Sequence, residues 1–484
     1  MGIKKYNFLQ SLIAIVALAV IGKESCFAAE ADNLARPNII LCMSDNQGWQ
    51  DTGYNGHPIL KTPNLDAMAA EGIRFDRFYA GAAICSPTRA SMLTGRDANR
   101  MAVYSYGLAM RPQETTIAEA LKQSGYVTGH FGKWHVGSIQ KGSPVNPGSS
   151  GFDEWVSAPN YFDTNPILSH QGVAVKHKGE SSEVAIEVAL EFIREQSKTP
   201  EPFLAVIWLA APHVPYHASK EDLEPYLSQG KWAGYLAEIA ALDRAFGKLR
   251  SEIKKIGIRD DTILWFNSDN GGLNPEWGGG RVSKGRSLVY EGTLRIPSIM
   301  EWPARFPKPQ VINTPCSTTD MYPTLLDITG TTVEGQFPLD GISLMPYLEG
   351  TETARSKPMG FWQMPGKGKI TNGKQEMTRI LRAQAEGKEI DDKSSLDLDA
   401  AEIKVQLPED DIKGQAAWLD WPWKLHRIKS KKGIVTFELY NLEEDAYEEN
   451  NLVKLQPERV NAMKIKLEAW QRSVIRSHNG HDYK

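Results

Sequence analysis

The chain has 484 residues, 41% hydrophobic and 24% charged, and its 55 Lys+Arg against 59 Asp+Glu leave a net charge of −4. That balance is ordinary for a globular protein with a sizeable core, and it excludes disordered, collagen-like and fibrous classes. It also excludes the broad positive field that general binding to nucleic acid or an anionic membrane surface needs.

Lys4 and Lys5 precede an apolar run from Leu12 to Ile21, and Ala29-Glu30-Ala31 supplies small residues for cleavage. Residues 1–31 therefore read as a secretory signal peptide, because the apolar run is short for a bilayer span. The mature protein is expected to be exported, periplasmic or secreted, without a stable membrane anchor. Its cysteines are Cys26, Cys42, Cys85 and Cys316. Loss of the signal leaves an odd number, which argues against a disulfide framework.

Four apolar, β-branched runs follow, and each leads into polar residues. Ile39 to Met43 runs into Asp45-Asn46, Tyr126 to Phe131 into Lys133 and His135, Phe203 to Leu209 into His213, and Thr262 to Phe266 into Asp269-Asn270. Continuous runs of this kind fit strands buried on both faces of a mainly parallel sheet. Helix patterns lie between them. Thr116-Ile117-Ala118-Glu119 is a capping box whose helix Gly125 closes, Ser182 to Lys198 repeats Val184, Val188 and Phe192 at helical spacing, and Trp232 to Ile258 is a further helix.

The alternation predicts an α/β fold over residues 32–350: a large, mainly parallel sheet sandwiched by helices. In such sheets ligands bind outside the carboxyl ends of the strands, where all four polar sets fall. Residues 351–484 are expected to form a smaller C-terminal α+β subdomain. Its charged stretch 366–414 reads as a solvated insertion, followed by Trp418, Trp421 and Trp423, a strand from Val435 to Tyr440 and a helix from Pro457 to Ser473. The tryptophans suit packing better than a sugar-stacking platform.

Cys85-Ser86-Pro87-Thr88-Arg89 continues as Ala90-Ser91-Met92-Leu93-Thr94-Gly95-Arg96. Pro87 suits the first position of a helix and Gly95 its C-terminal cap, which places Cys85 just before a helix N-terminus, where backbone N–H groups favour an anion. Arg89, one turn on, can offer a forked donor toward the same spot.

This segment resembles the signature of the type I sulfatase family, C-x-P-S/T-R-x-x-x-L-T-G, whose cysteine is converted after synthesis to formylglycine. Further resemblance is carried by Pro37-Asn38-Ile39-Ile40, Thr62-Pro63-Asn64-Leu65-Asp66, Gly132-Lys133-Trp134-His135-Val136-Gly137, Ala211-Pro212-His213-Val214-Pro215, Ser268-Asp269-Asn270-Gly271, and Tyr290-Glu291-Gly292 with Arg295-Ile296-Pro297. The resemblance implies an alkaline-phosphatase-like fold, hydrolysis of a sulfate ester, one calcium ion, a sulfated small-molecule or glycan substrate, and a formylglycine-generating or other sulfatase-maturing enzyme as partner.

It also implies roles for single residues. Asp45, Asn46, Asp269 and Asn270 are similar to the calcium ligands, hard oxygen donors of the kind this ion selects, and the group at the Cys85 position is counted with them as a further metal contact. The family usually carries Asp where Asn46 stands. The implied reaction is attack on sulfur by hydrated formylglycine at position 85, with Arg89 holding it, Lys133 contacting sulfate, His213 protonating the leaving oxygen and His135 as the base that releases sulfate. The family's second sulfate-binding lysine lies five residues before the Glu of E-G-G-x-R. That offset from Glu291 falls here on Arg286, whereas Lys284 lies seven residues before it; Lys284 is preferred. His57, His130, His170 and His217 receive no role. Two other readings stand beside this one: a phosphoester or phosphonate hydrolase of the same superfamily, and a catalytically silent calcium-dependent glycan-binding protein.

Overall fold

The four apolar runs form adjacent strands at the centre of a ten-stranded sheet. In spatial order these are Thr262–Ser268, Asn38–Ser44, Phe203–Trp208 and Val127–Lys133. All are parallel; Ile39 lies between Ile263 and Leu204, and Phe131 is paired with Ile207. Successive side chains of a strand point to opposite faces, so the near-complete burial of these strands shows that both faces are covered. The computed structural model describes residues 36–161, 163–272, 288–388, 393–430 and 432–484. The N-terminal segment 1–31, Lys284 and Arg286 lie outside them.

Outward from this centre the sheet becomes mixed. Ser298–Glu301 runs antiparallel to Thr262–Ser268, with Ile73–Phe75 and Gln310–Ile312 beyond it. On the other side Glu154–Ala158 is parallel to Val127–Lys133, and the hairpin Ile167–His170/Val173–Lys176 is antiparallel. The Thr116 capping box forms as expected, with Glu119 closing it. The expected long helices are Ser181–Gln196, with apolar Val184, Val188 and Phe192 buried, and Ala233–Lys255. Among the described residues no helix is long and apolar enough to cross a membrane. Cys42, Cys85 and Cys316 are buried free thiols.

The C-terminal part builds a four-stranded antiparallel sheet in the order Met359–Gln363, Gln415–Asp420, Trp423–Lys429 and Val435–Asn441. The helix Pro457–His478 packs on it. Trp418 is buried in their shared core, Trp421 lies under the Arg77 guanidinium at 4.2 Å, and Trp423 lies under Arg459 at 4.2 Å. All three are packed, as the sequence favoured.

The reading of 366–414 as simply solvated needs correction. The helix Gly373–Ala385 buries Met377 and Ile380 in the main core. Its Gln384 accepts from Ala174 N at 2.6 Å and donates to Ala174 O at 3.1 Å, on the outermost strand of the large sheet. The apolar positions are one turn apart in a charged sequence, a narrow stripe that a search for apolar runs overlooks.

Candidate active site

Parallel register aligns the carboxyl ends of the central strands. Ser44 pairs with Ser268, and the ladder continues past them: Asp269 N donates to Ser44 O at 3.0 Å, Asp45 N to Ala211 O at 3.0 Å and Leu209 N to Met43 O at 2.8 Å. Asp45, Asp269, Lys133 and the loop carrying His213 are thereby gathered at one edge.

Facing them is the helix Cys85–Thr94, every residue of which is buried. It begins at Cys85 itself, two positions earlier than Pro87 suggested. Proline is tolerated anywhere in the first turn because those N–H groups lack an intrahelical partner. Gly95 closes the helix at φ 70°, as expected. Cys85 and Arg89 share a face one turn apart. Cys85 Sγ lies 3.8 Å from Asp45 Oδ1. The next residue, Ser86, accepts from Gly107 N at 2.8 Å and so ties the 104–108 loop beside the helix start.

Arg89 is fully buried and sits over the Trp208 ring at 4.9 Å. Its Nε and Nη2 donate to Asp269 Oδ2 at 3.2 and 2.8 Å, its Nη2 also to Asp45 Oδ2 at 3.1 Å, and its Nη1 to Lys133 O at 3.2 Å. Lys133 Nζ reaches Asp45 Oδ2 at 2.5 Å. Two buried carboxylates are thus matched by two cations, as burial of charge demands.

Burial alone would raise the Asp45 carboxyl, but Lys133, His213 and Arg89 outweigh it and hold it well below the usual range. Asp269 goes the other way: burial and the Asp45 charge push it up to about 6 against Arg89 and Lys133. Burial, followed by the Asp45 charge, pushes the Cys85 thiol up. A thiol held neutral in this way is a weak nucleophile.

His135 is buried with φ 57°, a left-handed conformation rare for residues with a Cβ and frequent at functional sites. Burial, then Lys133 and Arg89, drives its pKa far down, so the ring is neutral. His213 Nδ1 lies 2.5 Å from Val214 O; an N–H donated there fixes the ring and leaves Nε2 to exchange a proton. A ring nitrogen of His213, Cys85 Sγ and an Asp45 oxygen all lie within 4.8 Å of one another.

Asn46 joins the site by both backbone and side chain. At φ 65°, tolerable for Asn, its N–H donates to Asp269 Oδ1 at 3.0 Å, and its Oδ1 accepts from Asn270 Nδ2 at 2.6 Å. Asn270 Oδ1, buried, has no hydrogen-bond partner among the described residues. Leaving such an oxygen bare costs about 1–3 kcal/mol, and a hard cation would relieve it. The donor set of two carboxylates and two carboxamides around this bare oxygen therefore fits calcium.

Sequence reasoning missed the support behind these residues. Tyr235 Oη, buried, lies 2.9 Å from Asn46 O and 2.5 Å from Asp51 Oδ2, so its single proton is shared between two acceptors. Burial pushes Asp51 up to about 7. Tyr235 sits in a long amphipathic helix and Trp208 at a strand end, where each reads as an ordinary core aromatic. Of the unassigned histidines, His130 is buried among Trp134, Phe152 and Trp208 with Nδ1 2.7 Å from Ser157 Oγ, a packing role.

Helix-borne Cys85 and Arg89 and the buried Asp45, Asp269 and Lys133 thus meet at the carboxyl edge of the large sheet of an α/β fold. A family model described as Sulfatase matches residues 37–331. N-acetylgalactosamine-6-sulfatase of Canis lupus familiaris is 32% identical over 370 residues, 68% of this chain and 68% of its own. Two solved structures share the fold. Ps i-CgsB, in complex with k-i-k-neocarrahexaose, gives a TM-score of 0.73 at 24% identity, covering 90% of this chain and 93% of that one. A protein in complex with its substrate D-glucosamine-2-N,6-O-disulfate gives 0.70 at 21%, covering 93% and 100%. The chain belongs to the sulfatase family and is a sulfuric ester hydrolase.

Proposed function

We propose that the protein hydrolyses a sulfate ester of a sugar, or an aryl sulfate, with Cys85 converted to formylglycine and one calcium ion held by Asp45, Asn46, Asp269 and Asn270. The observation that carries this reading is the placement of Cys85 on the first turn of a buried helix, its Sγ 3.8 Å from Asp45 Oδ1, with Arg89 and Lys133 converging on the same carboxylate. A buried neutral thiol is poorly suited to attack sulfur. Hydrated formylglycine supplies a hydroxyl nucleophile and a second hydroxyl whose deprotonation releases sulfate, while calcium supplies charge toward the sulfate oxygens.

The chain's own residues support the rest. Arg89 orients the group at position 85 and balances Asp45 and Asp269. Lys133 turns from Asp45 toward sulfate oxygens, an electrostatic contribution of the oxyanion kind. His135, held neutral, accepts a proton, and His213 passes one from Nε2 to the leaving oxygen. Lys284 supplies the further sulfate contact in preference to Arg286. Two carboxylates already matched by two cations leave the site positive once a dication binds, which favours an anionic ester.

The sugar-sulfate names of the relatives favour a sulfated sugar. Export rests on residues 1–31 alone, and maturation calls for a formylglycine-generating or other sulfatase-maturing enzyme. The test is release of sulfate from a panel of sulfated sugars and aryl sulfates by full-chain protein co-expressed with a maturing enzyme, with calcium added. Turnover of at least one sulfate ester with an aldehyde at position 85 is expected. Full activity with unmodified Cys85, preferential cleavage of phosphoesters, or glycan binding without turnover would each overturn the reading.

A further inference from the structure

A second buried charge cluster lies where the C-terminal sheet meets the turn Glu291–Leu294. Lys424, on the strand Trp423–Lys429, is fully buried; its Nζ donates to Glu291 Oε1 at 2.8 Å and lies 3.1 Å from Glu448 Oε1. Glu448 Oε2 accepts from Glu291 N at 2.7 Å, and Tyr79 donates to Glu291 Oε2 at 3.0 Å. His426 Nε2 lies 2.7 Å from Glu448 Oε1, and Gln415 Nε2 lies 3.3 Å from its Nδ1. With the amide donating to Nδ1, the proton sits on Nε2 and the ring is neutral. Glu291 is therefore held by both carboxylate oxygens and by its backbone N–H.

This grip passes to the metal end of the active site. Glu291 opens the single helical turn Glu291–Leu294, and Thr293 O in that turn accepts from Gly271 N at 2.9 Å. Gly271 lies against Gly292 so closely that a Cβ at position 271 would overlap the Gly292 carbonyl. Asn270, with its bare Oδ1, immediately precedes Gly271, and Asp269 precedes that. Ions buried so completely are weak evidence of stability as such, because their desolvation offsets their attraction; fixing geometry is the better-attested use.

We propose that Lys424 is a positioning residue for the calcium site: by clamping Glu291 it holds the Gly292–Thr293 backbone against Gly271 and so fixes the Asp269–Asn270 pair. The inference rests on the calcium reading above and extends it to the C-terminal sheet.

Calorimetric titration of the full chain with calcium tests it, alongside sulfate release at limiting and saturating calcium. Lys424→Met is expected to weaken calcium binding about tenfold, the low end for outer-shell supports of metal ligands. Its kcat/KM should fall at limiting calcium and recover at saturation. Tyr79→Phe, which removes one hydrogen bond and almost no volume, should weaken binding about threefold on the same reasoning, and it decides the matter if Lys424→Met fails to fold. Leu425→Ala, a cavity next door in the same sheet, should lower the melting temperature yet leave calcium affinity unchanged. Wild-type affinity in Tyr79→Phe and in folded Lys424→Met would overturn the proposal, as would equal weakening by Leu425→Ala. A wild-type protein that binds no calcium would instead overturn the calcium reading, and this inference with it.

Discussion

Arg89 Nη2 lies 3.1 Å from Asp45 Oδ2 and 2.8 Å from Asp269 Oδ2, so a single guanidinium nitrogen spans carboxylates from two neighbouring strand ends. Lysine at this position keeps the charge but cannot also supply Nε to Asp269 and Nη1 to the Lys133 carbonyl. Arg89→Lys is therefore expected to lose about 10²-fold in kcat/KM. Arg89→Met, which leaves two buried carboxylates short of a partner, should lose about 3–5 kcal/mol of unfolding free energy. Steady-state kinetics and denaturant titration are the measurements; an Arg89→Lys enzyme within a few-fold of wild type would show that the spanning geometry is dispensable.

Cys85 is small, buried and tied to Asp45 only by a long sulfur contact. Cys85→Ala should fold with a melting temperature close to wild type and release no sulfate. Protein made without a maturing enzyme should be equally inactive, since the thiol is held neutral by burial and by Asp45. Peptide mass spectrometry of the 85–95 segment, paired with sulfate release, checks both.

Asn46 stands where a third carboxylate would meet Asp45 and Asp269. Asn46→Asp is expected to tighten calcium binding roughly tenfold, because ligand charge tunes affinity for this ion. Without calcium the same variant should melt below wild type, through repulsion that Arg89 and Lys133 cannot fully offset. A chelator-treated Asn46→Asp protein as stable as wild type, with unchanged calcium affinity, would exclude Asn46 as a ligand.

Burial alone would raise the Glu448 carboxyl, yet Lys424, His426 and the Glu291 N–H hold it down at about 2. A carboxylate depressed in the folded state contributes stability above its unfolded pKa and loses it as pH falls through the folded value. Unfolding free energy should thus decline between about pH 4.5 and pH 2 by a few kcal/mol on this account. Glu448→Gln should be less stable at neutral pH and show a flatter profile in that window. Urea midpoints measured across the range decide it; a wild-type slope in Glu448→Gln would assign the acid sensitivity elsewhere.

The central strands and the residues at their ends were legible because each run is apolar on both faces, ends abruptly in polar residues and pairs in parallel register. Asp45, Lys133 and Asp269 converge for that reason. Helix boundaries were legible where side chains make the cap, as at Thr116, and less so at Cys85, where Pro87 is compatible with several first-turn positions. The supports were hidden. Tyr235 and Lys424 lie far from the site in sequence, on elements whose pattern gives no sign of what their polar ends reach, and only the tertiary fold pairs them with Asn46 and Glu291. The helix Gly373–Ala385 was obscured by its charged composition.

That helix bears on how the molecule behaves beside its own copies. The strand Val173–Lys176 is the outer boundary of the large sheet, the position at which unpaired peptide groups can recruit another chain. The Gln384 carboxamide presents one acceptor and one donor to Ala174, the complement that a passing strand would offer. A single side chain thus imitates one residue of an eleventh strand and occupies the place where edge-to-edge growth would begin. Removing it, as in Gln384→Ala, would leave catalysis intact while making self-association during refolding concentration-dependent.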